Sequence, residues 1–100
     1  SLSRVFADTY AKDGVLVNAV TPGPVASELW VGDGGLADQT AGPGETREET
    51  LARKAAGVPL GRFAEPGEIA DVIVFLCSAR VSNVTGAAWS ADGGAVAIIV

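Results

Sequence analysis

No histidine occurs in these 100 residues, and cysteine occurs once, at Cys77. Those two scarcities remove much chemistry at the outset. Without His there is no Ser-His or Cys-His catalytic pair, and the usual zinc and transition-metal ligand sets are not available. One Cys excludes an internal disulfide. It lies inside an apolar stripe, so a buried, inert thiol is expected. Positive charge is also sparse: seven Lys and Arg stand against twelve Asp and Glu, a formal net charge of −5 with pI near 4.4. Only Arg53 and Lys54 are adjacent, beside Glu48 and Glu49, the pattern of a solvated helix face. A nucleic-acid surface needs clustered cations, so no such partner is expected. No apolar run approaches the roughly 18 residues of a membrane span, and no basic-plus-apolar leader opens the chain. No membrane partner and a reducing, cytoplasmic setting are expected.

What is plentiful is apolar: 48% of the residues are hydrophobic, and the mean hydropathy is +0.33. A free-standing domain of this size keeps a large share of its surface in water. Some apolar faces are therefore expected to meet protein outside this sequence.

Along the chain, Leu2, Val5, Phe6 and Thr9 fall on one face of a helical period, and Asp13-Gly14 ends the helix. The start shows no cap, which predicts a helix cut at Ser1 rather than begun there. Val15 to Val20 is a short, β-branched run suited to a strand buried on both faces of a parallel sheet. Thr21-Pro22-Gly23-Pro24 is expected to stop it. Residues 27–45 are irregular and punctuated by Gly, yet Leu29, Trp30, Val31 and Leu36 are too apolar for a plain linker. A lid or substrate-facing loop fits that mixture.

Thr46-Arg47-Glu48-Glu49 is a capping box opening a helix that runs to about Ala56. Glu65-Pro66-Gly67-Glu68 opens another, with Pro66 near the first helical position. Its stripe of Ile69, Val72, Ile73, Leu76 and Cys77, widened by Ala70, Val74 and Phe75, predicts packing on more than one side. Ala87 to Ala91 reads as a short strand stopped by Asp92-Gly93-Gly94. The tail, Ala95 to Val100, is apolar and uncharged, and is expected to pack on its own subunit or a neighbour. Asn18, interrupting an apolar strand, is expected to make a structural hydrogen bond. Turn chemistry explains Asp92, and first-turn capping explains Glu48, Glu49, Glu65 and Glu68.

Three segments resemble one family. Val17-Asn18-Ala19-Val20-Thr21-Pro22-Gly23-Pro24-Val25 is similar to the "VNxVxPGxV" stretch of short-chain dehydrogenases/reductases, at the end of their sixth strand. Pro59-Leu60-Gly61-Arg62, then Pro66, Glu68, Ile69, Ala70 and Phe75-Leu76-Cys77-Ser78, resembles "PxGR…PxEIAxxxxFLxS". Val84-Thr85-Gly86 and Asp92-Gly93-Gly94 resemble the closing "VTGxxxxxDGG". In this order they cover nearly the whole chain.

The resemblance implies an α/β fold, the C-terminal part of a Rossmann-type doubly wound parallel sheet, with residues 1–100 as part of a single NAD(P)-binding domain. It implies NAD or NADP as cofactor, and a small-molecule carbonyl or alcohol as substrate. A 3-oxoacyl-thioester reductase or a small-alcohol dehydrogenase would both suit the pattern. Pro22, Gly23, Pro24, Val25 and Ser27 would bind the cofactor, the backbone at Val25 meeting the nicotinamide carboxamide and the Ser27 hydroxyl standing where the family has Thr. Ligands bind beyond the carboxyl ends of strands in open α/β sheets, which suits this Pro-Gly turn. Leu29 and Trp30 would cover the nicotinamide or line the substrate pocket, or else anchor their loop, within a substrate-binding loop and helix over residues 28–57.

The family's Gly-x-x-x-Gly-x-Gly phosphate turn, its catalytic Asn and Ser, and its Tyr-x-x-x-Lys pair have no counterpart here. Four residues after Tyr10 stands Gly14, so Tyr10 is read as a helix-end tyrosine. No catalytic residue is assigned to this segment, which is expected to be inactive alone and to belong to a homodimer or homotetramer. The alternative is a non-catalytic assembly or interaction module derived from the same fold.

Overall fold

The computed structural model describes residues 1–96. Helix α1, Leu2–Tyr10, continues into a 3-10 turn at Ala11–Asp13, and Gly14 closes it at φ 76°. That left-handed conformation is one that glycine adopts without a Cβ penalty. The expectation of an uncapped start is corrected: the Ser1 hydroxyl accepts from the Arg4 N–H at 3.4 Å.

Strand β1, Ala19–Pro22, pairs in parallel with β2, Ala88–Ala91, in the register Ala19↔Ala88 to Pro22↔Ala91. Parallel neighbours require a crossover. It consists of α2 (Glu28–Val31), α3 (Leu36–Thr40), α4 (Arg47–Ala56), α5 (Pro66–Leu76) and a 3-10 turn at Ala79–Val81.

The strand begins later and ends later than the apolar run predicts. Val17 and Asn18 are engaged by the turn before β2: Val17 N–H donates to Thr85 Oγ1 at 3.1 Å, and Gly86 N–H to Val17 O at 2.8 Å. Asn18 Nδ2 donates to Val84 O at 3.0 Å, and its Oδ1 accepts from Ala87 N–H at 3.1 Å. Asn18 is thus the structural clamp its position suggested. Pro22 does not stop the ladder. Ala19 N–H donates to Ala87 O, just before β2, and Gly23 N–H to Ala91 O, so alternation puts the Pro22 nitrogen on the opposite edge, where no donor is needed.

Capping is as the sequence predicts for the two longer crossover helices. Thr46 and Glu49 form the reciprocal box at α4. Pro66 is the first residue of α5, whose Glu68 accepts the Glu65 N–H at 2.9 Å. Residues 27–45 are not structureless, since they hold α2 and α3.

Ion pairs close this segment. Arg47 donates to Asp38 at 2.8 Å and to Asp33 at 2.7 Å, while Arg53 binds Glu45 at 3.0 Å and the Thr40 carbonyl at 3.2 Å. Glu45 also accepts from buried Thr50 at 2.6 Å. Arg47 and Arg53 are therefore ties between elements, rather than ornaments of a solvated face.

Few residues are withdrawn from water: Ala7, Ala37, Val58, Val81 and Thr50. The accessible surface is 6744 Å², against about 5,300 Å² for a compact monomer of 10.1 kDa. Several apolar faces are among what stays open. On α1 the face with Leu2, Val5 and Phe6 is open, Leu2 being 70% exposed, and the helix buries Ala7 instead. On α5, Ile69, Val72 and Leu76 are half-buried, whereas Ile73, Val74 and Phe75 face outward.

Three expectations are corrected by these exposures. β1 is not buried on both faces, α5 is not packed on more than one side, and Cys77 is exposed. The cause is shared: periodicity identifies an apolar face, but among the described residues nothing covers these. Ala95 and Val96 of the predicted packed tail are exposed, and its residues 97–100 lie outside the described ones. No helix of the described residues is long and apolar enough to cross a membrane.

Candidate functional site

Both strands run the same way, so their carboxyl ends share one edge, where three loops meet: residues 22–27, 58–65 and 91–94. The backbone binds them together. Gly23 N–H donates to Ala91 O at 3.4 Å, and Leu60 N–H to Gly93 O at 3.1 Å. Ala64 N–H donates to Pro24 O at 3.0 Å, and Ala26 N–H to Ala64 O at 2.8 Å, an isolated parallel bridge between Val25 and Ala64.

Two glycines allow this closeness. A Cβ on Gly23 would stand 3.0 Å from the Asp92 Cα, so the sequence's glycine is explained by its neighbour loop before any ligand is considered. Gly93 holds φ 64°, and a Cβ there would meet Val58 Cγ1 at 2.7 Å. Asp92 serves its own turn, its carboxylate accepting from Gly94 N–H at 3.0 Å and Val96 N–H at 3.2 Å. Asp92 is a turn residue, as its place before two glycines predicts.

The bridge has a directional consequence. Because Pro24 O and Ala26 N–H face Ala64, the N–H and C=O of Val25 point away from it. The carbonyl accepts from Ser27 N–H at 2.7 Å. The Val25 N–H makes no hydrogen bond among the described residues, and the Ser27 hydroxyl makes no capping bond to α2. At the end of a parallel strand, the Val25 N–H thus points away from the bridge, and the half-buried Ser27 stands two residues on with no capping bond. One is a fixed donor, and the other a hydroxyl able to donate or accept.

Leu29 and Trp30 separate in role. Trp30 is half-buried and meets Phe63 edge-on, ring centroids 5.1 Å apart, which anchors α2 to the 58–65 loop. Leu29 is exposed and free to touch a ligand. Beneath α2 an open recess of about 300 Å³ is lined by Ala26, Val31, Leu51, Ala55 and Phe63. A second recess, about 190 Å³, lies between Pro24, Ala64, Ile69 and Asp92.

Arg62 and Glu68 border that second recess, and the sequence reading assigned Arg62 no role. The guanidinium grips the carboxylate bidentately, Nη1 to Oε1 at 2.6 Å and Nη2 to Oε2 at 2.8 Å. The Arg62 hydrogen bonds, with the Glu65 N–H, hold the Glu68 carboxyl down at about 2. Both residues stand in the segment that resembles "PxGR…PxEIA", but their pairing was not legible there.

Comparison with known proteins gives one coherent result. The family model described as enoyl-(acyl carrier protein) reductase matches residues 1–96. The chain is 43% identical over 98 residues to 2-(S)-hydroxypropyl-CoM dehydrogenase 3 of Xanthobacter autotrophicus, covering 98% of this chain and 36% of that protein. It is 42% identical over 100 residues to the inactive 2-(S)-hydroxypropyl-CoM dehydrogenase 2 of the same organism, covering 98% and 40%. L-sorbose reductase of Gluconobacter frateurii, solved with NADPH and L-sorbose, superposes with a TM-score of 0.85 at 31% identity, covering 98% of this chain and 37% of that one. The chain spans between a third and two fifths of the length of these relatives. Its parallel strands and helices form an α/β, Rossmann-type architecture.

Proposed function

We propose, from the premise that this chain belongs to the short-chain dehydrogenase/reductase family of oxidoreductases, that it supplies the nicotinamide-facing and substrate-covering part of an NAD(P)-dependent enzyme. In this reading it is the C-terminal part of one Rossmann-type domain, and the enzyme interconverts a carbonyl and an alcohol on a small molecule. The observation that carries it is the outward Val25 N–H beside the Ser27 hydroxyl, on a loop pinned by the bridge to Ala64 at the strands' carboxyl edge.

The residues fit the nicotinamide end of the cofactor. When bound, the cofactor would supply the hydride chemistry of the reaction at that end. Val25 and Ser27 orient its carboxamide, Pro22 and Pro24 stiffen the loop, and Gly23 keeps it close to Asp92. Leu29 and Trp30, within the lid of residues 28–57, cover the substrate and exclude water, Trp30 by anchoring and Leu29 by contact. The phosphate turn and the Ser, Tyr and Lys of proton transfer are assigned to sequence beyond this segment. The open faces of α5 and Trp89 suit contacts in a homodimer or homotetramer.

A non-catalytic module is favoured by one observation, the likeness to a relative named as inactive. The discriminating experiment reads the sequence encoded ahead of Ser1 and assays the full-length product. A Tyr-x-x-x-Lys shortly upstream, with NAD(P)H-dependent carbonyl reduction, supports the enzyme. Residues 1–100 reducing a ketone unaided would refute the placement of catalysis elsewhere.

A further inference from the structure

We propose that Arg62 and Glu68 are positioning residues for the nicotinamide contact, their ion pair splinting the turn that sets the direction of the Val25 N–H. The inference rests on the reading that Val25 faces the nicotinamide, and adds to it what holds Val25 there.

Gly61, at φ 76°, turns the chain into residues 62–65. Arg62 reaches forward over this stretch to Glu68, and its Nη1 also donates to Phe63 O at 3.2 Å. Glu68 reaches back and accepts the Glu65 N–H at 2.9 Å. The two side chains therefore bracket residues 62–65 from both ends. In the middle stands Ala64, whose N–H and C=O make both bonds of the bridge to Pro24 and Ala26. Two further backbone ties hold these loops, Gly23 N–H to Ala91 O at 3.4 Å and Leu60 N–H to Gly93 O at 3.1 Å, but neither reaches residues 62–65. Where Val25 points thus follows from where Ala64 stands, and Ala64 is held by the pair.

The pair's exposure separates this role from general stability. Arg62 and Glu68 side chains are 53% and 46% exposed, and ion pairs so placed contribute little to folding. A bidentate fork nonetheless fixes geometry more tightly than a single contact. Its effect is expected in the ordering of one loop, not in the melting of the protein. The depressed Glu68 carboxyl keeps the pair charged through neutral and mildly acidic conditions.

Glu68→Gln is the informative variant, because the amide oxygen still accepts the Glu65 N–H while the ionic fork is lost. Arg62→Gln removes the fork from the other side. In the full-length protein, affinities for NAD(P)H and for ADP-ribose, which lacks the nicotinamide, are measured by titration calorimetry. Both variants are expected to weaken NAD(P)H about fivefold, a loss near 1 kcal/mol, with ADP-ribose affinity and melting temperature unchanged. Equal weakening of both ligands, or of neither, overturns the positioning role while leaving the reading of Val25 intact. Wild-type protein that binds ADP-ribose as tightly as NAD(P)H refutes that reading itself, and the inference with it.

Discussion

Asn18 offers the sharpest perturbation of this architecture, because one side chain holds two distant backbone groups. Its amide donates to Val84 O at 3.0 Å and accepts from Ala87 N–H at 3.1 Å, tying the entry of β1 to the turn that leads into β2. Asn18→Ala removes both bonds. Each is worth about 1 kcal/mol net, and the half-buried site lets water replace part of what is lost, so about 2 kcal/mol of local stability disappears. In terms of local opening that is roughly a 30-fold faster exchange at the Ala87 amide.

Hydrogen exchange followed by mass spectrometry over residues 84–89 of the full-length protein measures it directly. Asn18→Asp refines the test. It keeps the acceptor for Ala87 but sets a carboxylate oxygen against the Val84 carbonyl oxygen. The neutral acid can donate there and the anion cannot, so the folded state raises this carboxyl above its ordinary value of about 3.9. The penalty is therefore absent well below that pH and grows as pH rises through it. Unchanged exchange at Ala87 in Asn18→Ala, or a pH-independent Asn18→Asp, would refute the clamp.

Two further perturbations probe residues 28–57 and the loop cluster. Asp38 is lowered from 3.8 to about 2, mainly by its hydrogen bonds from Arg47, and Glu45 from 4.5 to about 2, mainly by those from Arg53. A depressed carboxyl contributes fully above its ordinary value and loses its contribution as pH falls through the lowered one. Residues 28–57 should thus stay closed to peptic cleavage at pH 4 and open toward pH 2; opening centred above pH 4 would contradict the ties to Arg47 and Arg53. Glycine substitutions should divide by location. Gly23→Ala, driven against the Asp92 backbone at 3.0 Å, should lower stability by about 1–3 kcal/mol. Gly67→Ala, inside α5 with nothing within 4 Å, should raise it by about 0.5–1 kcal/mol in urea denaturation.

What could be read from the residues, and what could not, divides along the range of the forces involved. The openings of α4 and α5 were legible because Thr46–Glu49 and Pro66–Glu68 act within one turn of chain. Asp92 was legible as a residue serving its own turn, and Asn18 as a polar residue needing partners, although those partners, Val84 and Ala87, lie far along the chain. Helices α2 and α3 were not: their closure depends on Arg47 and Arg53 reaching back over many residues, which no periodicity records. The exposure of Cys77 and of Val74 and Phe75 escaped the reading because an apolar stripe names the face to be covered and not its cover. At the candidate site, the Pro-Gly and Asp-Gly-Gly turns were visible through their resemblance to a family. The bridge from Val25 to Ala64 was invisible, since backbone hydrogen bonds between two loops leave no mark on side-chain identity.

The parallel register of β1 and β2 also sets a timetable. About 70 residues separate Pro22 from its partner Ala91, and a ribosome adds roughly 5–20 residues each second. The first strand therefore waits on the order of 4 to 14 seconds in the nascent chain before its partner exists. During that interval Val15 to Val20 is an apolar segment with a free edge, the kind that pairs with whatever strand is nearest. Asn18, set in the middle of that run, interrupts it with an amide that a mispaired apolar strand would leave unsatisfied. Only when Val84 and Ala87 arrive does that amide find the partners it has in the finished sheet.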